Sequence, residues 1–205
     1  MSVTGTAVTA AAGSITAAAI LAIVNSWLER SETSIDDELQ EVLADMSKRD
    51  NFIKASTTIT ASDSTASTDA PSLMKEPIAL YISAGNFLTK ITYDEYMEFI
   101  EDQSSIPESE PQEYALVDTT FYWKDVPDTD YTVVIDYYKY HADSTTVEFP
   151  VRFRSTIEYG VAAAVASKYE MDKQYVKYNA LYENEIYKHS LNIVRDPKMV
   201  KYNDI

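Results

Sequence analysis

The sequence predicts an α+β fold in which N-terminal and C-terminal helix pairs form a helical core, a β-rich insertion separates them, and an extended C-terminal tail follows. Three features carry this expectation. Apolar residues recur at helical spacing near both ends of the chain, Val, Ile, Thr and Tyr concentrate in the middle, and periodicity stops after residue 191. The corresponding segments are 1–50 with 150–191 for the helical core, 51–149 for the insertion and 192–205 for the tail.

Ser14 is placed to cap a first helix whose stripe is Ile15, Ala18, Ala19, Ala22, Ile23 and Ser26, widened by Leu21, Val24 and Leu28 and ending near Arg30. Alanine loses little side-chain entropy in a helix, so this segment suits close packing. Ser34 precedes a second helix. Asp36, Asp37 and Glu38 suit its positive end, Lys48 and Arg49 its negative end, and Ile35, Leu39, Val42, Leu43 and Met46 follow helical spacing. Two short antiparallel helices are thus expected at the start.

From Asn51 to Thr60 the β-formers Phe52, Ile53, Thr57, Thr58 and Ile59 predict a strand, and 61–72 reads as a Ser/Thr/Asp loop ending at Pro71. One or two strands are expected over Ile78 to Ile91, turning near Gly85-Asn86. Thr92 and Glu95 have capping-box spacing, which predicts a short helix to about Asp102. Gln103 to Pro111 reads as a solvated loop. Tyr114 to Lys124 alternates apolar and polar residues, Val126-Pro127-Asp128 makes a turn, and Tyr131 to Tyr140 is rich in Val, Ile and Tyr; together they predict a hairpin. Asp143 to Thr146 closes it, and Phe149 to Phe153 leads into the next helix. Ser155 or Thr156 is expected to cap a helix carrying Ile157, Val161, Ala164, Val165 and Lys168, and Asp172 to open another carrying Tyr175, Tyr178, Leu181, Tyr182 and Ile186.

Charge restricts the function. With 17 Lys+Arg against 33 Asp+Glu, the 205-residue chain has a net charge of −16, which excludes a protein that grips nucleic acid through a basic face. The absence of cysteine removes disulfides, thiolate metal sites and a Cys nucleophile. No charged side chain occurs from Ser2 to Leu28, yet the longest unbroken apolar run is Ala17 to Val24, short of the ~20 residues a membrane span needs. No cation precedes Arg30, as a secretory leader would require, so a soluble, buried or subunit-facing helix is expected there, with no membrane role.

Catalytic chemistry is hard to find. Glycine occurs only at Gly5, Gly13, Gly85 and Gly160, so no phosphate loop, dinucleotide fingerprint or nucleophile elbow can be assembled. His141 and His189 are not spaced as a metal pair. Asp125, Asp128 and Asp130 cluster around Pro127 without the Gly and terminal Glu of a calcium loop, and read as turn formers. No catalytic residue, metal or cofactor is assigned. A hydrolase using carboxylates near Asp125 to Asp130 or Glu108 to Glu113 would need one of them to stand out, and none does. The 16 tyrosines have two readings, half-buried amphipathic filler or an extensive protein interface. A secreted or surface β-rich module binding protein or carbohydrate through Tyr-rich strands is the competing function.

The segment Val126-Pro-Asp-Thr-Asp-Tyr-Thr-Val-Val-Ile-Asp-Tyr-Tyr138, followed by Phe149-Pro-Val-Arg-Phe-Arg154 and the helix Ile157 to Tyr169, resembles head-to-tail adaptor (connector) proteins of tailed bacteriophages, particularly short-tailed ones. The resemblance implies a structural virion protein and no enzyme: a dodecameric ring below the portal protein, continuing the DNA channel and offering a platform to a tail or nozzle protein. It places the chain in the virion neck after assembly in the host cytoplasm. Twelve copies would carry roughly −190, a wall along which viral DNA passes without specific binding. The resemblance also implies portal docking by the tail, where Ile193, Val194, Met199, Val200, Tyr202 and Ile205 supply apolar anchors and Arg195, Lys198 and Lys201 local positive charge. Tyr169, Tyr175, Tyr178 and Tyr182 are the candidate inter-subunit contacts.

Overall fold

A computed structural model describes residues 15–82, 86–102 and 106–194, the side chains of 192–194 excepted. The fold is α+β, with five α-helices and two β-sheets among the described residues. The chain divides into two compact units, one formed by Met1–Phe52 with His141–Ile205 and the other by Ile53–Tyr140.

The first unit is helical. Helix α1 spans Ala17–Leu28, α2 Asp36–Arg49, α4 Arg154–Lys168 and α5 Asp172–Val194, with α3 belonging to the other unit. Helix α4 is central: α1, α2 and most extensively α5 pack on it. The N-terminal and C-terminal helix pairs share this unit, and within it α1, α2 and α5 are arranged around α4. Small side chains make this possible, because Gly160, Ala162, Ala163 and Ala166 are buried between Ile157, Val161 and Val165. Each fully buried Ile or Val contributes about 1.5–3 kcal/mol.

Local chemistry explains most of the boundaries. The cap of α1 is Thr16, whose hydroxyl accepts from Ala19 N at 3.2 Å; Ser14, the expected cap, lies outside the described residues. The buried stripe of α1 is Ile20, Val24 and Leu28, whereas Ala18, Ala22 and Ser26 of the expected stripe are exposed. A helix without charges gives periodicity no polar face to set its phase. Helix α2 buries Ile35, Leu39, Val42, Leu43 and Met46 as expected, with its acids and bases at the appropriate ends. No side chain caps α4: it starts at Arg154 after a 3₁₀ turn over Val151–Phe153, placing Ser155 and Thr156 inside its first turn. Helix α5 continues to Val194, so Asn192, Ile193 and Val194 belong to the helix and not to the tail.

The second unit contains two sheets. Strands β1 (Lys54–Ala61), β3 (Met74–Ile82) and β7 (Tyr131–Lys139) form one, antiparallel, in the order β1-β7-β3. Strands β2 (Ser67–Asp69), β4 (Thr89–Lys90), β5 (Glu113–Val117) and β6 (Thr120–Trp123) form the other, in the order β2-β6-β5-β4. Helix α3 spans Tyr93–Asp102 and is opened by the expected capping box: Glu95 N donates to Thr92 Oγ1 at 3.2 Å, and Thr92 N donates to Glu95 Oε2 at 2.7 Å. The core of this unit joins both sheets through Leu80, Phe121, Trp123, Val133 and Ile135.

Two strand expectations are corrected. Tyr114 to Lys124 is no single strand but the β5–β6 hairpin, turned at Asp118, which adopts the left-handed φ of 52° that Asp tolerates better than most residues. Its expected partner across Pro127, β7, lies in the other sheet, between β1 and β3. Strand β3 begins earlier than expected and contains Pro77, tolerated because β3 is an edge strand with register shifts on both sides of that residue. The loop expected over 61–72 holds β2, where Thr68 Oγ1 accepts from Trp123 Nε1 at 3.1 Å.

Both histidines join one aromatic cluster in the helical unit. The His141 ring stacks on Phe149, Phe149 meets Phe153 edge-on, and His189 lies 4.2 Å from Phe153 between ring centroids. Nε2 of His189 is buried without a hydrogen-bond partner. Burial lowers the pKa of His189; the charge of Glu185 opposes the shift, and Arg152 and Lys188 add to it. The folded chain therefore takes up this proton less readily than the unfolded chain. Stability from this group is complete above the unfolded value of about 6.5 and is lost as pH falls through the lowered value. His189→Leu should flatten the fall in urea midpoint between pH 7 and 5; an unchanged pH dependence would show that His189 is not its source.

Gly160 tests the packing on α4. A Cβ there would sit 2.7 Å from Val42 Cγ1 and 2.9 Å from Tyr182 Cε2. Gly160→Ala gains helix propensity but forces α2 and α5 outward, and is expected to destabilise by about 1–2 kcal/mol in urea unfolding. Val42→Ala in the same chain should recover part of that loss.

Candidate assembly surface

The residues of interest are carried by α5 and by the α4–α5 connection. Tyr178 and Tyr182 are 4% and 5% exposed, respectively, so both are committed inside their own chain. The Trp27 ring stacks on Tyr178 and on Tyr159, with centroids 5.4 Å apart in each case, joining α1 to α5 and α4. Tyr182 fits against Gly160, and its hydroxyl donates to Asp45 Oδ2 at 2.6 Å. Arg49 binds the same carboxylate oxygen at 2.7 Å and Glu183 at 2.6 Å, closing a network between α2 and α5.

Tyr169 and Tyr175 differ from these two in being 36% and 40% exposed. Tyr169 follows α4 and is held in place: the Arg30 guanidinium lies 3.5 Å from its ring centroid, and its hydroxyl donates to Glu32 at 2.8 Å. Hydrogen bonds from Arg30 and then Tyr169 hold the Glu32 carboxyl below the usual carboxylate range. Beside them Lys168 Nζ donates to Glu38 Oε1 at 2.5 Å, which raises the lysine pKa. Tyr175 lines an open groove of about 250 Å³ with Glu41, Asp45, Arg49 and Asn179. Of the four tyrosines, Tyr169 and Tyr175 retain surface for a neighbour.

Of the tail residues, Ile193 and Val194 continue the backbone of α5, and their side chains lie outside the described residues. Arg195, Met199, Val200, Tyr202 and Ile205 lie outside them altogether. Among the described residues, no three His, Asp or Glu side chains are grouped to hold a metal ion. The acidic turn has structural work: Asp128 accepts from the Tyr131 hydroxyl at 2.7 Å, and Asp130 from Asp63 N at 2.9 Å. Glu113 pairs with Lys124. Sequence reading missed the exposed ridge on the outer side of α5, formed by Val176, Tyr187 and Leu191 at 65%, 64% and 41% exposure. Its signal was present as apolar residues out of phase with Tyr178, Tyr182 and Ile186.

Burial, then the hydrogen bond to Asp45, raises the Tyr182 pKa well above its usual value of about 10. The folded chain resists losing this proton, so the associated stability is intact below pH 10 and is lost as pH rises beyond it. Tyr182→Phe should cost about 1 kcal/mol at neutral pH through the lost hydrogen bond. The same variant should lose less of its stability than the parent between pH 9 and 11. Equal losses in urea unfolding would remove Tyr182 from the alkaline transition.

No curated protein matches the chain. The family described as SU10 adaptor protein matches residues 15–198, which include all five helices and both sheets. The chain therefore belongs to the SU10 adaptor family, the phage head-to-tail adaptor proteins.

Proposed function

We propose that this chain forms a dodecameric ring below the portal protein of a phage head, continues the DNA channel and offers a platform to a tail or nozzle protein. Membership of the adaptor family over nearly the whole chain is the observation that carries the reading. The family is structural, and the finer assignment gives each part of the chain an assembly task. The helical unit builds the ring, the β-rich unit meets the tail protein, and the C-terminal segment docks on the portal.

Physical features support the channel, ring and portal-docking assignments. A net charge of −16 on each copy gives the channel wall a field that repels phosphates, whereas cations would retain DNA by releasing its counterions. The helical unit is braced by the Trp27–Tyr159–Tyr178 stack and the Asp45–Arg49–Tyr182 network, so its outward faces are presented on a defined frame. The C-terminal segment combines Met199, Val200, Tyr202 and Ile205 with Lys198 and Lys201, apolar anchors with local positive charge in an acidic protein.

Deleting 195–205 leaves the whole of α5 in place. The truncated chain should unfold at the same urea concentration as the full chain but fail to co-sediment with portal rings. Normal co-sedimentation would refute docking by this segment.

A further inference from the structure

Three of the four arginines among the described residues are matched to carboxylates of their own chain. Arg30 bonds Glu32, Arg49 bonds Asp45 and Glu183, and Arg154 bonds Glu158, all at 2.6–2.8 Å. Two of these arginines also use a tyrosine ring. The Arg30 guanidinium lies 3.5 Å from the Tyr169 centroid and that of Arg49 5.4 Å from the Tyr182 centroid, and each tyrosine hydroxyl donates to the carboxylate that holds the arginine. A ring face and an anion thus take a guanidinium together. Arg152 is the exception. It is exposed on the 3₁₀ turn Val151–Phe153 with no ion pair among the described residues, beside Val151, itself 53% exposed.

The groove over α4 offers the complementary set. Glu41 from α2, with Tyr175 and Asn179 from α5, lines one open groove of about 250 Å³ that also contains Asp45 and Arg49. Small residues of α4, Gly160, Ala163 and Ala164, leave it its depth. Asp45 and Glu183 already match Arg49, so Glu41 leaves the groove negative. Among the described residues Glu41 has no ion pair, and Tyr175 has neither a hydrogen bond nor a cation over its ring. Tyr182 with Asp45 and Tyr175 with Glu41 are thus two tyrosine–carboxylate sets along one groove. The first holds Arg49; the second holds no cation of its own chain. Arg152 of the same chain does not reach it. Even Gly160, the nearest α4 residue of the groove, is eight positions away, about 12 Å along the helix at ~1.5 Å per residue and beyond the span of an arginine side chain.

We propose that Arg152 of one copy of this chain inserts into the groove between α2 and α5 of a second copy, stacking on Tyr175 and bonding Glu41. The Asn179 side-chain oxygen accepts a further guanidinium N–H, and Val151 packs beside the arginine on the rim. In a chain with a net charge of −16, contact between copies is least repulsive where an unmatched cation meets an unmatched carboxylate. The contact is heterologous, a turn on one side of each copy and a groove on the other, and such contacts close into rings when the rotation between copies permits. This assignment rests on the ring reading above and names the residues that join neighbouring copies.

Charge reversal in the full-length chain, alone and with portal rings of the same phage, tests the pairing by sedimentation velocity and mass photometry. Arg152→Glu should leave the circular dichroism spectrum and the urea midpoint near those of the parent, since the side chain is exposed without an ion pair, and weaken association between copies by about tenfold or more. Glu41→Arg should weaken it as well. The two changes together restore a pair of opposite charge and should recover assembly, which a general loss of stability would not allow. Arg152→Lys keeps the charge but not the planar face that stacks on Tyr175, and should retain only part of the association. Normal assembly by both charge-reversed single variants, or no recovery in the double variant, would overturn the pairing and leave the ring reading intact. Arg152→Glu rings that form normally but no longer join the portal would make the turn a portal contact and overturn it as the contact between copies. A parent chain that stays monomeric even with portal rings would overturn the ring reading, and the assigned pair with it.

Discussion

The approach of α2 and α5 to α4 at Gly160 governs the helical unit. With no side chain there, Val42 comes in from α2 and the Tyr182 ring from α5, both closer than a Cβ would permit. That approach brings the Tyr182 hydroxyl to Asp45 and lets Arg49 reach Asp45 and Glu183 together. Buried alanines extend the same close contact along α4 at Ala162, Ala163 and Ala166. Interiors are packed near crystal density, so one additional methyl group on this line would be felt by both neighbouring helices.

This packing also decides what remains for a partner. The tyrosine-rich last helix is divided by its contact with α4: Tyr178 and Tyr182 serve the core, and Tyr187 faces outward with Val176 and Leu191. Abundant tyrosine is therefore neither wholly filler nor wholly interface. Tyr suits both tasks because its ring gives apolar area and its hydroxyl tolerates water or finds a carboxylate, as Tyr169 does at Glu32 and Tyr182 at Asp45. An adaptor needs both, a frame stiff enough to present surfaces and surfaces not consumed by the frame.

Features confined to a few neighbouring residues were legible in the sequence. The Thr92–Glu95 capping box, the charge-biased ends of α2 and the start of α5 at Asp172 all rest on local hydrogen bonds or helix-dipole contacts. Strand pairing was not legible in the same way. The strong alternation over 114–124 concealed a turn at Asp118, and nothing local to β7 records that its neighbours are β1 and β3. The rotation of α1 was equally hidden, because all its faces are uncharged and burial of Ile20, Val24 and Leu28 depends on what lies beside them.

By itself, the sequence determined the α+β class, the net charge of −16 that leaves no basic face for gripping nucleic acid, and the motif around Pro127 to Tyr138 that points to the adaptor family. These are properties of composition and short-range order, and no distant residue alters them. Only the tertiary structure decided that three helices surround α4, that Tyr178 and Tyr182 are internal, and that α5 carries a second, outward apolar face. Such outcomes depend on which side of each helix meets a neighbour over a hundred residues away, as Asp45 meets Tyr182. Apolar spacing shows that a helix has a face to bury; the packing around Gly160 selects which face that is.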